Sequence, residues 1–139
     1  MYYLGVDGGG TKTNFVLIKE DGEFMARVKL PSCHYLQHGE KRFKSIIKQG
    51  LNHLQQKTGI GIKDINYSFF ALPGYGEEKR VTKRMNEIIS NLILTDNYEC
   101  ANDVKAGWAG SLACRPGINI VAGTGSIAFG VDENNQEKR

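Results

Sequence analysis

Three consecutive glycines, at residues 8–10, are the first group in the sequence whose residue types could do chemistry. They follow a short apolar segment that ends at Asp7, and a Thr-Lys-Thr run comes after them. Three glycines in a row carry a high backbone entropy cost, which a fold tolerates where the chain turns tightly or approaches a ligand closely. Backbone N–H groups in such a turn can bind phosphate, and a carboxylate beside them suits Mg²⁺, which takes carboxylate and phosphate oxygens. The alternative is a plain hairpin turn with an exposed aspartate.

A second turn, Gly-Thr-Gly-Ser at residues 123–126, is also a candidate phosphate site, and its alternative is a tight hairpin. The first turn has the glycine spacing of neither a Walker nor a dinucleotide-binding motif. The element after the first turn also reads as a strand, whereas both motifs require a helix there. The predicted phosphate-binding residues are Gly8, Gly9, Gly10, Thr11, Lys12, Thr13, Gly123, Thr124, Gly125 and Ser126, and the predicted metal ligand is Asp7.

An asparagine-aspartate pair is the third group, at the point where a short strand gives way to a helix rich in small residues. Ligands of α/β sheets gather at the carboxyl ends of strands. The helix dipole keeps an acid in the first turn ionised, and an ionised carboxylate such as Asp103 could accept a proton from a substrate hydroxyl. Asn102 also suits a helix N-cap, so a plain capping pair is the alternative interpretation.

The elements that must position these groups follow the order βββαβαβα and then a hairpin. Apolar runs predict strands over residues 3–6, 14–19, 24–30, 65–72 and 98–101, and the first three form an antiparallel meander. Apolar residues at three- and four-residue spacing predict two helices, over residues 43–54 and 81–92, and Gly59 is a helix stop. A third helix runs from Asn102 to about Ala113, and residues 118–122 and 127–131 form the hairpin. This order indicates an α/β fold with mixed strand directions.

The opening pattern of the chain recurs near its end. Residues 4–11 and residues 120–126 each read as a strand and a Gly/Thr turn, followed by another strand and a polar turn. We therefore expect one domain over residues 1–117 and the first hairpin of a truncated second domain over residues 118–139.

Composition argues against several classes of protein. The formal charge of +3 is too small to require a nucleic-acid partner. The three cysteines, Cys33, Cys100 and Cys114, have no metal-ligand spacing, which is typical of reduced thiols in a cytosolic protein. The N-terminus has no basic segment of a signal peptide, and no apolar run is long enough to span a bilayer. We expect a cytoplasmic protein without nucleic-acid or membrane partners.

Taken together, the three motifs resemble those of the BadF/BadG/BcrA/BcrD ATPase family and, within it, of the N-acetylglucosamine kinases. Residues 4–13 resemble the first phosphate motif of the family, residues 102–107 its connecting motif with the catalytic acid, and residues 121–126 its second phosphate motif. The resemblance covers essentially the whole chain. It implies an RNase H-like domain of the actin-like ATPase type, with a mixed five-stranded sheet, paired with a second domain.

The resemblance also implies an activity, namely the transfer of a phosphoryl group from ATP to a sugar hydroxyl. ATP would lie in the cleft, Mg²⁺ would bind the phosphates near Asp7, and most of the adenosine site would lie in the second domain. A homodimer is left open. The residues implied to bind the sugar are His34, Gly74, Asn102 and Asp103, with Asp103 as the catalytic base.

Two loops depart from the pattern of the family. These kinases tend to carry an Asn-His pair where this chain has Cys33 and His34, and a Ser-Gly-Gly loop where it has Pro73, Gly74 and Tyr75. Both loops touch the sugar in the kinases, so the departures bear on which sugar is bound.

Two other functions remain open. One is an ATPase that activates a radical dehydratase through an iron–sulfur cluster. Such a cluster needs cysteine ligands, and Cys100 and Cys114 form no recognisable cluster motif. The other is a sugar-sensing protein without catalysis. Relatives of that kind usually begin with a DNA-binding helix-turn-helix, whereas the first strand is expected here from about residue 2.

Overall fold

The computed structural model describes residues 1–122 and 126–139, which form two β-sheets and three α-helices. In chain order the elements are β1 (Tyr2–Gly8), β2 (Lys12–Lys19), β3 (Phe24–Pro31), α1 (Tyr35–Thr58), β4 (Tyr67–Leu72), α2 (Lys79–Ile93), β5 (Tyr98–Asn102), α3 (Asp103–Leu112), β6 (Gly117–Ala122), β7 (Ser126–Val131) and β8 (Glu137–Lys138). A short 3-10 turn, Ile62–Asp64, precedes β4. The predicted order βββαβαβα is confirmed, whereas β8 is too short to have shown a periodicity in the sequence.

The larger sheet has five strands in the order β3-β2-β1-β4-β5. The first three strands pair antiparallel, as predicted, and β1, β4 and β5 pair parallel. Because these three strands point the same way, their carboxyl ends meet at one edge of the sheet. The register places Asp7 opposite Ala71, and Leu72 opposite Asn102. The predicted mixed five-stranded sheet is therefore confirmed, with the candidate acids at that edge.

One face of the larger sheet carries the main core. Side chains alternate along β1, so that Leu4 and Val6 are buried while Gly5 and Asp7 are exposed. The apolar faces of α1 and α2 cover this side of the sheet and bury Phe43 and Ile89 completely. Helix α1 ends where predicted, before Gly59.

The smaller sheet has the order β6-β7-β8 and packs against α3. Its small core contains Trp108 together with Val104, Phe129 and Val131. The division of the chain into domains at residue 117 stays a prediction. In the part of the chain that the structure describes, no helix combines the length and the apolar character needed to cross a membrane.

Candidate active site

Three segments of the chain meet around Gly8, at the carboxyl edge of the five-stranded sheet. A Cβ atom added to Gly8 would lie 2.8 Å from the Cys33 Sγ and 2.9 Å from the Pro73 Cδ. It would also lie 3.1 Å from the backbone oxygen of Ala71. Any larger residue would therefore push apart the loop after β3 and the loop after β4. Both loops therefore pack directly against the glycine turn.

The glycine turn itself is closed by one backbone hydrogen bond, in which the Gly9 N–H donates to the Lys12 carbonyl over 2.8 Å. Gly10, Thr11 and Lys12 are exposed, and Asp7 is exposed at the end of β1 beside them. The turn therefore offers backbone donors, a hydroxyl and an ammonium group to solvent next to a carboxylate. Binding of phosphate by these residues stays a prediction.

Thr13 differs from the other residues of the predicted phosphate turn. Its side chain is completely buried. Its hydroxyl donates to the Pro31 carbonyl and accepts from the Cys33 N–H, each over 3.0 Å. The hydroxyl therefore anchors the loop after β3, and contact of Thr13 with a phosphate stays a prediction. The cause of the burial is strand alternation, which puts position 13 on the same buried face as Phe15.

Asn102 caps α3, as the sequence predicts. Its side-chain oxygen accepts from the Val104 N–H over 3.2 Å. Its side-chain nitrogen donates to the Tyr75 carbonyl over 3.0 Å, which ties the cap to the loop after β4. Both ends of the side chain are therefore engaged within the protein. Contact of Asn102 with a sugar stays a prediction.

Asp103 is half-buried at the start of α3. Burial is the largest cause that raises the pKa of its carboxyl, and the negative charge of Asp7 raises it further. Backbone hydrogen bonds from Asp103 itself and from Val104 act in the opposite direction. A carboxylate with a raised pKa is a stronger proton acceptor once it is ionised. The predicted base and the predicted metal ligand are therefore close enough to influence one another.

His34 and Gly74 also lie side by side, in the loops after β3 and β4. A Cβ atom on Gly74 would lie 3.5 Å from the His34 Cε1 and 3.3 Å from the Leu36 Cδ1, and its φ of 77° favours glycine. The His34 Nδ1 is buried and has no hydrogen-bond partner within the described residues. Since buried polar atoms in native proteins are rarely left unpaired, this nitrogen is available to a polar partner.

Comparison with known proteins places this arrangement in a family. The model of the BadF/BadG/BcrA/BcrD ATPase family matches residues 4–139. The chain belongs to this family. An N-acetyl-D-glucosamine kinase of Dictyostelium discoideum is 30% identical over 142 residues, which cover 92% of this chain and 43% of that protein. An N-acetylmuramic acid/N-acetylglucosamine kinase of Clostridium acetobutylicum is 23% identical over 140 residues, covering 99% of this chain and 45% of that protein.

A candidate N-acetylglucosamine kinase of Chromobacterium violaceum, solved by crystallography, superposes with a TM-score of 0.76 at 24% identity. The match covers 99% of this chain and 47% of that one. This likeness confirms the predicted RNase H-like fold of the actin-like ATPase type. The chain spans less than half the length of the relatives described here.

Family membership implies the use of ATP, and the residues of this chain fit a bound Mg²⁺. Mg²⁺ sites that act on phosphates commonly use one or two carboxylates together with water and phosphate oxygens. Asp7 is exposed beside the turn, and Asp103 is near enough to feel its charge. Residues 1–122 and 126–139 hold no group of three or more His, Cys, Asp or Glu side chains that could bind a metal ion. Within these residues, a metal site made of protein ligands alone is therefore not formed.

The second predicted phosphate turn lies partly outside the residues that the structure describes. Gly123, Thr124 and Gly125 lie outside the described residues. Ser126 is exposed at the start of β7, where it pairs with Ala122. The role of these four residues in this family member therefore stays a prediction.

Sequence reasoning missed one buried residue of the site, Ser32. Its hydroxyl donates to the Gly9 carbonyl over 2.8 Å and accepts from the His34 N–H over 3.1 Å. The second bond is a local serine turn, in which the hydroxyl reaches the backbone two residues ahead. A serine before the predicted sugar loop was the available signal, but only the fold brings Gly9 within its reach.

Proposed function

We propose that this chain forms one side of the active-site cleft of a kinase that transfers a phosphoryl group from ATP to an N-acetylated amino sugar. The observation that carries the proposal is the meeting of three features at one sheet edge. These are an exposed glycine turn, an acid with a raised pKa and a buried imidazole nitrogen that has no partner among residues 1–122 and 126–139. A kinase needs a site for phosphate, a proton acceptor and a site for the hydroxyl, and the three features are of the kinds that these tasks require.

Each of these groups would have one task. The backbone N–H groups of the turn and the Lys12 ammonium would bind the nucleotide phosphates, and Asp7 would hold Mg²⁺ beside them. The bound metal would supply neutralisation of phosphate charge. Asp103 would accept the proton of the sugar hydroxyl while the loops hold that hydroxyl in line with the phosphorus. Phosphoryl transfer depends mostly on such positioning and charge stabilisation.

The N-acetylated sugar is favoured by the names of the two relatives. Of the residues that depart from the family pattern, Cys33 is completely buried and Pro73 is buried against Gly8. Tyr75 is partly exposed, and its hydroxyl donates to the side-chain oxygen of Asn86. His34 and Gly74, which the family resemblance assigns to the sugar, are adjacent to one another.

The test is an assay of ADP release with the natural polypeptide that contains these residues. N-acetylglucosamine, N-acetylmuramic acid and glucose would be compared as acceptors. We expect faster release with one of the two N-acetylated sugars than with glucose. Release that no sugar stimulates would overturn the proposal. Residues 1–139 alone are expected to show no sugar phosphorylation, because half a cleft can neither hold adenosine nor exclude water from the reacting groups.

Substitution of Asp103 by asparagine tests the base directly. Asparagine keeps the size and caps helices about as well as aspartate, but it accepts no proton. We expect Asp103→Asn to lower turnover by about 10²- to 10⁴-fold, with ATP affinity by calorimetry nearly unchanged. Turnover within about threefold of wild type would contradict the assignment. A collapse of ATP affinity with unchanged chemistry would instead assign Asp103 to the metal.

A further inference from the structure

Ser32 lies between the two halves of the candidate site. It is 3% exposed, and its hydroxyl makes the two hydrogen bonds described above, to the Gly9 carbonyl and from the His34 N–H. Gly9 belongs to the turn that faces the phosphates, and His34 belongs to the loop that faces the sugar. One buried hydroxyl therefore bonds directly to the backbone of both ligand sites.

Two bonds at Ser32 form a continuous chain with fixed directions. The His34 N–H donates to the Ser32 hydroxyl, and the Ser32 hydroxyl donates to the Gly9 carbonyl, whose residue also closes the turn through its N–H bond to the Lys12 carbonyl. Consecutive hydrogen bonds of this kind polarise one another where water is largely excluded. A ligand that fixes the turn thus also fixes the oxygen to which the His34 backbone is bonded.

We propose that Ser32 is a positioning residue that couples the phosphate turn to the sugar loop, so that nucleotide and sugar each strengthen the binding of the other. The proposal rests on the kinase function proposed above. Ser32 touches neither ligand and acts through Gly9 and His34. Coupling between two sites is reciprocal, so the sugar raises the affinity for nucleotide by the factor by which nucleotide raises the affinity for sugar.

The structure separates this role from simple anchoring of the loop. Thr13 anchors the same loop through the Pro31 carbonyl and the Cys33 N–H, yet its hydroxyl makes no bond to the glycine turn. Removal of the Ser32 hydroxyl therefore breaks the connection between the sites while the Thr13 anchor holds the loop. Removal of the Thr13 hydroxyl weakens the anchor while the Ser32 connection stays.

The experiment measures the dissociation constant of Mg²⁺·β,γ-imido-ATP with and without saturating N-acetylglucosamine, on the natural polypeptide that contains residues 1–139. The ratio of the two constants is the coupling factor, and allosteric couplings are typically about 5- to 150-fold. We expect a wild-type factor in that range, a factor near one for Ser32→Ala, and a substantial return of coupling for Ser32→Thr, which keeps a hydroxyl. Thr13→Val is the matched control, and we expect it to lower the melting temperature while keeping the wild-type factor.

Three results would overturn the proposal. The first is a wild-type factor of one, and the second is a Ser32→Ala factor equal to that of wild type. An equal loss of coupling in Ser32→Ala and Thr13→Val would also overturn it, since the effect would then come from loop anchoring. If Ser32→Ala does not fold, Ser32→Cys, which keeps a slightly larger but weaker donor, is held to the same criteria. A wild type that phosphorylates no sugar sinks the proposed function itself, whereas an active wild type with unchanged coupling in Ser32→Ala sinks only this inference.

Discussion

The two sheets of this molecule differ in how completely they are covered. In the five-stranded sheet, α1 and α2 bury one whole face, and Phe15, Phe43 and Phe70 are fully excluded from solvent. In the three-stranded sheet, α3 covers one side, while Ile118 and Ile120 on β6 are each 68% exposed. Burial of apolar surface is the main stabilising term in folding. The glycine turn and its two loops are therefore attached to the sheet that buries more apolar surface.

Amide exchange gives the largest expected difference between the two sheets. We expect the amides of β1 to exchange only through global unfolding and those of β6 and β7 to exchange through local opening. The rates should differ by on the order of 10³-fold, because local openings require far less free energy than global unfolding. The measurement is hydrogen exchange by NMR on monomeric residues 1–139. Equal protection in β1 and β6 would break the comparison.

The rates of thiol labelling should also differ between buried and exposed cysteines of the molecule. Burial raises the pKa of the Cys33 thiol, and it raises the pKa of Cys100 to about 12, from the ordinary value of 9.0. At pH 8, Cys100 should therefore carry roughly 10³-fold less thiolate, which is the reactive form, than a cysteine with the ordinary pKa. Cys114 follows α3 and is exposed. With an aromatic disulfide reagent at pH 8, we expect one fast thiol, lost in Cys114→Ser, and two that react only on unfolding. Fast labelling of Cys33 would contradict tight packing behind Gly8.

Two helix glycines offer a matched pair of substitutions, one beside each sheet. A methyl group on Gly50 of α1 would overlap the ring of Phe15, whereas a methyl group on Gly110 of α3 would meet nothing within 4 Å. We expect Gly50→Ala to lower the free energy of unfolding by about 1–3 kcal/mol through overpacking. Gly110→Ala should raise it by about 0.5–1 kcal/mol through helix propensity. Urea denaturation measures both, and similar effects of the two changes would contradict the difference in packing.

The smallest expected effect is a dependence of stability on pH that comes from Asp103. This residue begins α3, which contacts both sheets. The pKa of this carboxyl is raised in the folded state, so the folded protein holds the proton more tightly. The stabilisation by this carboxyl is therefore fully present below its pKa in the unfolded chain, near 3.8. It is lost as pH rises through the pKa in the folded protein. We expect Asp103→Asn to gain stability relative to wild type between pH 3.5 and pH 7, as measured by urea denaturation. A constant difference across that range would argue against the raised pKa.

Much of the larger sheet follows from local patterns in the sequence. Strand alternation and the three- and four-residue helix spacing place Leu4, Phe15 and Ile89 in the core, and Asn102 caps α3 as expected. The same alternation would have placed Thr13 inside, but the glycine motif drew it into the predicted phosphate set. The bonds of Ser32 to Gly9 and of Asn102 to the Tyr75 carbonyl join residues 23 and 27 positions apart. No local pattern specifies such pairs, since they depend on how the loops fold over the sheet edge.

Helix α1 shows a similar limit. Its backbone breaks at Gly39, with φ 79° and ψ 170°, so that a first turn carrying Leu36 precedes the long helix. The apolar repeat begins only at Phe43, after this break, and therefore gives no information about the earlier turn. The sequence predicted the long helix well but not the segment that brings Leu36 over Gly74.

The packing around Gly8 limits how this protein can diverge over evolutionary time. Position 8 already has the smallest side chain, so it can yield no space to a larger neighbour at position 33 or 73. In this chain, a larger residue at either neighbour would displace the glycine turn unless the loops after β3 and β4 move with it. The exposed Leu36 is under no such limit. A change at position 33 or 73 therefore requires a compensating shift of the two loops, whereas a change at position 36 requires none.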